Sequence, residues 1–376
     1  MLPVKSQRYL SLDVLRGLTI ALMIAVNTPG SWETIYAPFR HAEWHGFTIT
    51  DLVFPTFLFV VGNAMSFSMK KFQNEKDSVI LQKIFKRTFI LFFIGLFLNM
   101  FPFVTRTGEG VLSFIDFSSI RIMGVLQRIA LAYGMAALII HFLKIRGAVI
   151  LSIFILIGYW IILYFGGEHP HPYSLEGNAV LKLDLLIFSP ENLYQGFGIP
   201  FEPEGLLSTL PSVVNVIAGY LTGMVIRQQT NIASTIAKFL LAGALLIIVA
   251  LIWNLVFPIN KPLWTSSYVL YSTGLGLFVL AGLLLVIEVG NVKKWTYFFE
   301  VFGKNPLILY ILSGILIKIM ILIRIKGTSL SGWLYQNLFL SWADGYNASL
   351  LFAVFFMLII WFIGLWMEKR SVYIKV

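Results

Sequence analysis

No cysteine occurs in the 376 residues, which removes thiol nucleophiles, thiolate metal sites and disulfide staples together. Any covalent chemistry must use another nucleophile. Charge is nearly as scarce: 12% of the residues are charged against 58% hydrophobic, and the mean hydropathy of +0.83 exceeds what a soluble domain can solvate over its surface. No Ser/Pro-rich linker, low-complexity tract or block of like charge divides the chain, so residues 1–376 read as one transmembrane domain.

What is present is apolar sequence in long runs. Spans of about 20 apolar residues can be placed at ten positions, near 10–28, 50–69, 88–103, 121–143, 147–165, 206–226, 238–257, 266–288, 297–323 and 347–367. The expected fold is an all-α, polytopic integral membrane helix bundle of about ten transmembrane helices. Met1 to Tyr9 is too short and polar for a cleavable signal, so the first run is expected to remain a helix. With the N-terminus inside, 17 of the 28 Lys and Arg fall in cytoplasmic segments, Lys5, Arg8, Lys70, Lys71, Lys83, Lys86, Arg87 and Lys375 among them, and six fall outside. N- and C-termini are therefore expected to be cytoplasmic. The net charge of +10 follows from these loops, which meet anionic membrane lipid; no basic stripe with interleaved aromatics points to nucleic acid. The longest outer connection, 166–205, carries Glu168, Glu176, Asp184, Glu191, Glu202 and Glu204 against Lys182 alone. It shows no obvious helix, and its surplus of acids would either solvate a covering loop or favour a cationic ligand such as an amine.

Polar groups inside or between apolar runs are the functional candidates, because lipid accommodates them only at a cost. Asp13 and Arg16 are three apart on the first helix and can neutralise one another; Arg16 could equally line an anionic cavity. Asn27 precedes Thr28, Pro29 and Gly30, where the helix must stop, and its amide could donate to a developing oxyanion. His41 and His45 follow in the first outer loop, two of only five histidines, each able to act near neutral pH as a base or acyl acceptor. Asp51 closes a Thr48-Ile49-Thr50-Asp51 capping box; the alternative sets its carboxylate against an imidazole. His169-Pro170-His171-Pro172 lacks the remaining ligands of a metal site, and no metal is expected.

Ser11-Leu12-Asp13-Val14-Leu15-Arg16-Gly17, then Asn27, then His41 to Gly46 (HAEWHG) and Asp51 to Pro55 (DLVFP) resemble the heparan-alpha-glucosaminide N-acetyltransferase family, in its compact bacterial branch of transmembrane acyltransferases. Arg121 to Ala130 (RIMGVLQRIA), Glu202 to Pro211 (EPEGLLSTLP) and Phe257 to Ser267 (FPINKPLWTSS) extend the resemblance over nearly the whole chain. It implies acetyl-CoA as co-substrate on the cytoplasmic side and an extracytoplasmic amino sugar, terminal and glucosamine-like, as acceptor. His41 matches the family's catalytic histidine, Asn27 its catalytic asparagine and Asp51 a supporting carboxylate. The chain departs from the lysosomal enzymes in lacking their large N-terminal lumenal portion, so the acceptor need not be heparan sulfate. Gly303-Lys304-Asn305-Pro306 also replaces a more usual Met-Asn-Ala.

The residues support such chemistry on their own. Attack of an amine on a thioester needs a base and charge stabilisation at the carbonyl oxygen, roles open to His41 and Asn27. Direct transfer and a transient acetyl-His41 both fit. For the phosphates of CoA, Arg16, Arg121, Gln127 and Arg128 are the candidates, Arg121 and Arg128 being seven apart on one expected helix face. Trp44, Glu43, Glu204, Trp264 and Ser266 are the candidates for the sugar, by ring stacking, hydroxyl contact and attraction of the amine; an interfacial aromatic belt competes for the tryptophans. Two rival functions remain. A transporter would use the same buried polar groups but should show internal repetition, which is not evident. An O-acyltransferase of a cell-envelope glycan would differ only in acceptor, and a homodimer is compatible with any of the three.

Overall fold

The computed structural model describes residues 9–72, 74–106 and 111–374. Lys5, Arg8 and Lys375, used above for orientation, lie outside the described residues. Among those described, the chain is helical apart from two short antiparallel hairpins, β1 (Val104–Arg106) with β2 (Leu112–Phe114) and β3 (Arg324–Ile325) with β4 (Thr328–Ser329). The helices are α1 (Leu10–Asn27), α2 (Ile49–Lys71), α3 (Asp77–Met100), α4 (Val125–Gly166), α5 (Ala179–Ile187), α6 (Leu206–Gln228), α7 (Ile232–Asn254), α8 (Ser266–Leu283), α9 (Thr296–Lys304), α10 (Pro306–Leu322), α11 (Leu330–Leu334) and α12 (Gly345–Lys369).

Among the described residues, seven helices are long and apolar enough to cross a membrane: α1, α2, α4, α6, α7, α8 with the π-helical turn that extends it to Val289, and α12. The pair α9 and α10, bent by 84° at Asn305, makes an eighth if taken as one broken span. The chain is a multi-pass membrane protein. Its lipid-facing side shows on α7, where Leu241, Leu245, Ile248 and Ile252 are exposed at helical spacing. The 42 residues of α4 would extend about 63 Å, twice the hydrocarbon thickness. They are not one straight rod, because Lys144 breaks the helix at φ 55°, ψ −170°.

Three local expectations are corrected. The helix at the third run starts well before that run: α3 begins at Asp77, its first half carrying Lys83, Lys86 and Arg87. The fourth does not begin at 121. Asn99 Nδ2 donates to the carbonyls of Arg121 (2.7 Å) and Met123 (3.1 Å), holding that stretch out of helix until Val125. Residues 166–205 are not free of helix, since α5 is capped by Asn178, whose Oδ1 accepts from the Leu181 amide at 2.8 Å.

Two backbone contacts set how tightly the bundle closes. A Cβ on Gly62 of α2 would sit 1.9 Å from the Val216 carbonyl oxygen, and one on Gly219 of α6 would sit 1.9 Å from that of Phe59. Between apolar helices in lipid, such small-residue contacts replace the missing hydrophobic drive. They lock α2, the helix that carries Asp51, against α6, which starts directly after Glu202 and Glu204.

Candidate active site

The loop from Thr28 to Thr48 connects α1 to α2 and folds over the first turn of α2. Asp51, buried to 1%, accepts there from both sides. Its Oδ2 takes the Thr48 amide and hydroxyl, both at 3.0 Å, and the Ala42 amide at 3.1 Å. Its Oδ1 lies 2.6 Å from His41 Nδ1. The capping-box and imidazole readings of Asp51 are thus not alternatives: one carboxylate oxygen caps the helix and the other holds the ring. A contact this short between ring nitrogen and carboxylate requires a proton on Nδ1, which leaves the Nε2 lone pair for chemistry. The His41 side chain is 47% exposed.

Pro55 completes the arrangement one turn on. Lacking an N–H, it cannot bond the carbonyl of Asp51 four residues back. The Tyr268 hydroxyl donates to that carbonyl instead, at 2.7 Å from 217 residues away, and so ties α8 to the start of α2.

A third group enters from the loop between α7 and α8. Lys261 Nζ lies 3.0 Å from His41 Nδ1, 3.4 Å from Nε2 and 3.5 Å from Asp51 Oδ1. The neighbouring Asn260, wholly buried, fixes this loop: its amide donates to the Trp44 carbonyl at 2.8 Å and its Oδ1 accepts from the Leu263 amide at 2.7 Å. Burial lowers the Lys261 amine below its ordinary range, and the charges of Asp51 and Glu204 oppose that only in part. Sequence reasoning missed Lys261, counting it among outer-loop charges, although it sits inside the FPINKPLWTSS segment.

Beside this lies a buried ion network. Arg121 grips Glu202 through Nε (2.8 Å) and Nη2 (2.5 Å), and Nη2 also reaches Glu204 at 2.6 Å. Burial disfavours the guanidinium, but hydrogen bonds and charge from the two glutamates outweigh it and hold Arg121 above its usual range. Burial likewise raises Glu202, whereas for Glu204 the cations Arg121, Arg128 and Lys261 overcome burial and lower it. Arg128, wholly buried, bonds the Ser208 hydroxyl and lies 4.7 Å from the Trp264 ring; its Nε and Nη1 have no partner.

Several expected roles change in this light. Arg121 precedes α4 and does not share a helix face with Arg128. Gln127 is buried and donates to the Ile122 carbonyl at 3.0 Å. Arg121 and Arg128 sit at the His41 end of the bundle, against Glu202, Glu204 and Ser208 of α6, and Gln127 faces Gly95 of α3, whereas Arg16 pairs with Asp13 at 3.2 Å near the opposite end. Asp184, Glu202 and Glu204 are buried, so they are not the surface acids that the loop's composition suggested. Trp264 and Ser266 are only 1% and 0% exposed: the indole donates to Asn215 Oδ1 at 3.0 Å and the hydroxyl to the Leu156 carbonyl at 2.7 Å. Neither presents a surface for ring stacking. Trp44 is half-buried with its indole on the Tyr173 carbonyl, and Glu43 is exposed beside His41. Asn27, at the end of α1, is exposed and makes no hydrogen bond to His41 or Asp51.

Asp184 supplies a stability test. Burial pushes its carboxyl up to about 7 despite a hydrogen bond from the Leu206 amide, and its Oδ2 has no partner. A carboxyl raised in the folded state stabilises fully below its unfolded value near 4, and that contribution is lost as pH rises through about 7. The contribution of Asp184 to stability should therefore decline from pH 4 to pH 7 by an amount on the order of 4 kcal/mol. Asp184→Asn should flatten that slope in unfolding followed by tryptophan fluorescence; an unchanged slope would assign it elsewhere.

At the opposite end, two cavities meet at Ser68. One, of about 470 Å³, is bordered by Arg16, Lys71, Arg87 and Lys304 and runs inward to Phe57 and Leu126. The other, of about 520 Å³, carries Lys70, Lys83, Lys144 and Arg227 against Glu75 and Asp77, with Phe72 and Tyr133. Phe57 is six residues along α2 from Asp51, about 9 Å of helix rise. The first cavity therefore approaches the His41 pair from behind.

Comparison with known proteins supplies the last element. A family model described as heparan-alpha-glucosaminide N-acetyltransferase, catalytic, matches residues 8–248. The heparan-alpha-glucosaminide N-acetyltransferase of Mus musculus is 27% identical over 364 residues, covering 81% of this chain and 53% of its own length. That of Homo sapiens is 27% identical over 360 residues, covering 81% and 52%. The chain spans about half the length of these curated relatives. Asn27, His41, Asp51, Arg121 and Glu204 lie inside the region matched by the family model, and Lys261 and Trp264 lie beyond it. With more than half of its length matched, this chain belongs to the heparan-alpha-glucosaminide N-acetyltransferase catalytic family.

Proposed function

We propose that the protein is a transmembrane acetyltransferase that moves an acetyl group from cytoplasmic acetyl-CoA to the amine of an extracytoplasmic, glucosamine-like sugar. On this reading the bundle has ten spans: the seven above, with α4 counted twice across its break at Lys144, the bent pair α9 and α10, and α3. Both termini face the cytoplasm of a bacterium and the His41 end faces out. The observation that carries the reading is the pairing of opposite ends: cation-lined cavities open on one side, and a carboxylate-held imidazole stands on the other about 9 Å of helix rise beyond them.

The cations suit a multiply phosphorylated donor. Lys71 and Arg87 border the inner cavity beside Arg16 and Lys304, which pair with Asp13 and Glu368, and Lys70, Lys83, Lys144 and Arg227 outnumber Glu75 and Asp77 in its neighbour, so a surplus of cations in both can neutralise phosphates without a P-loop. Arg121, Gln127 and Arg128 instead organise the far end. There His41 Nε2 takes the amine proton, Asp51 holds the tautomer and Asn27 offers its amide to the carbonyl oxygen. Glu43, Trp44 and Glu204 border the acceptor side.

Transfer of label from acetyl-CoA to glucosamine by pure protein tests this reading. The 2-hydroxy counterpart of glucosamine separates N- from O-transfer, and uptake into liposomes without transfer would favour a transporter instead. Arg87 gives a donor-side test: its Nε is buried without a hydrogen-bond partner, and its guanidinium lies 4.5 Å from the Tyr133 ring. Arg87→Ala should raise KM for acetyl-CoA by roughly 10- to 100-fold, the loss of a charge-assisted bond, with little change in kcat. An unchanged KM would remove Arg87 from the donor site.

A further inference from the structure

Lys261 is built into the His41–Asp51 pair more closely than a loop charge needs to be. Its ammonium approaches both ring nitrogens, at 3.0 and 3.4 Å, and its side chain is only 19% exposed. Because Nδ1 carries the proton shared with Asp51, Nζ cannot donate to it; the acceptors left are Asp51 Oδ1 and the Nε2 lone pair. An ammonium 3.4 Å from Nε2 stands within reach of the oxygen of a carbonyl under attack by an amine that is hydrogen-bonded to that nitrogen.

We propose that Lys261 is a catalytic residue whose ammonium donates a hydrogen bond to the carbonyl oxygen of the acyl thioester as that oxygen becomes an oxyanion. The proposal rests on the acetyl-transfer reading and deepens it. The amine nitrogen attacks the carbonyl carbon, an N–C bond forms, and the carbonyl π pair moves to oxygen, where Lys261 stabilises it. His41 Nε2 takes the amine proton. Collapse re-forms the carbonyl and breaks the C–S bond, and the departing thiolate takes the proton from His41. Thioester and amine become amide and thiol, and Lys261 begins and ends the cycle as an ammonium.

The charged groups around Lys261 act in both directions, the carboxylates of Asp51 and Glu204 favouring its ammonium and Arg128 opposing it. His41 faces Lys261 from the first outer loop, Asp51 from α2, Glu204 from the segment before α6 and Arg128 from α4. Burial nonetheless lowers the amine below the ordinary lysine range. Activity should therefore fall on the alkaline side as the ammonium deprotonates, and Lys261→Arg, a cation that does not deprotonate, should move that fall to higher pH.

The absence of cysteine from the 376 residues allows a direct test. Lys261→Met and Lys261→Cys should each lower kcat by roughly 10²- to 10³-fold, as for loss of one oxyanion donor, with KM for both substrates little changed. Alkylating the single thiol of Lys261→Cys with 2-bromoethylamine should restore much of kcat, whereas iodoacetamide, which adds bulk without charge, should not. Equal rates after the two reagents, or Lys261→Met within roughly threefold of wild-type kcat, would overturn the proposal. Wild-type protein that transfers acetyl to no amine would overturn the acetyl-transfer reading itself, and this inference with it.

Discussion

Replacing His41 with alanine lowers kcat for acetyl transfer by roughly 10²- to 10⁴-fold, the range expected for loss of a general base, and leaves the fold intact. The side chain is 47% exposed, so its removal opens no core cavity. Asp51 keeps the Thr48 and Ala42 donors on Oδ2 and keeps Lys261 at 3.5 Å from Oδ1, so no buried charge is stranded. Thermal stability, followed by tryptophan fluorescence, should shift by less than about 1 kcal/mol. Asp51→Asn should behave differently and lose both activity and stability, because the same side chain caps α2 and orients the ring. Full activity in His41→Ala would remove the imidazole from the mechanism. Acetyl found on His41 after a donor-only quench would replace direct transfer with a covalent route.

The second large effect concerns stability. Arg121→Ala should destabilise the protein by about 3–5 kcal/mol, because it leaves Glu202 buried beside Glu204 with its cation gone, Arg128 and Lys261 acting on Glu204 alone. Raised salt should rescue little of the loss, since the pair is shielded from solvent. Lowered pH should rescue more: without Arg121 the two carboxylates gain by protonation, so the gap between variant and wild type should narrow between pH 7 and pH 5. Thermal unfolding of the two proteins across that range checks the sign. A gap that widens on acidification would mean that Arg121 does not hold these carboxylates ionised.

Much of the His41–Asp51 geometry was legible because it is local. The Thr48 to Asp51 capping box, the Asn27-Thr28-Pro29-Gly30 stop and the two loop histidines lie within about one helical hairpin, where short-range spacing carries the information. Trp264 and Ser266 show the limit. In a membrane protein both the lipid face and the core are apolar, so hydropathy does not tell a buried indole from an interfacial one. The start of α4 was misplaced for a related reason: Arg121 to Gly124 reads as part of an apolar run, and what keeps it extended is the side chain of Asn99 on another helix.

Sequence by itself determined the class of the protein, a cysteine-free, multi-pass helical bundle, together with the residues at its first hairpin. Those follow from composition, hydropathy and contacts between near neighbours, which any folded form of the chain must respect. Tertiary structure alone decided that Lys261 joins His41 and Asp51, that Tyr268 satisfies the carbonyl freed by Pro55, and that Arg121 neutralises Glu202 and Glu204. These partners are separated by 220, 217 and 81 residues. Each is a buried polar group whose desolvation must be offset by a partner, and only the packing of distant helices determines which one arrives.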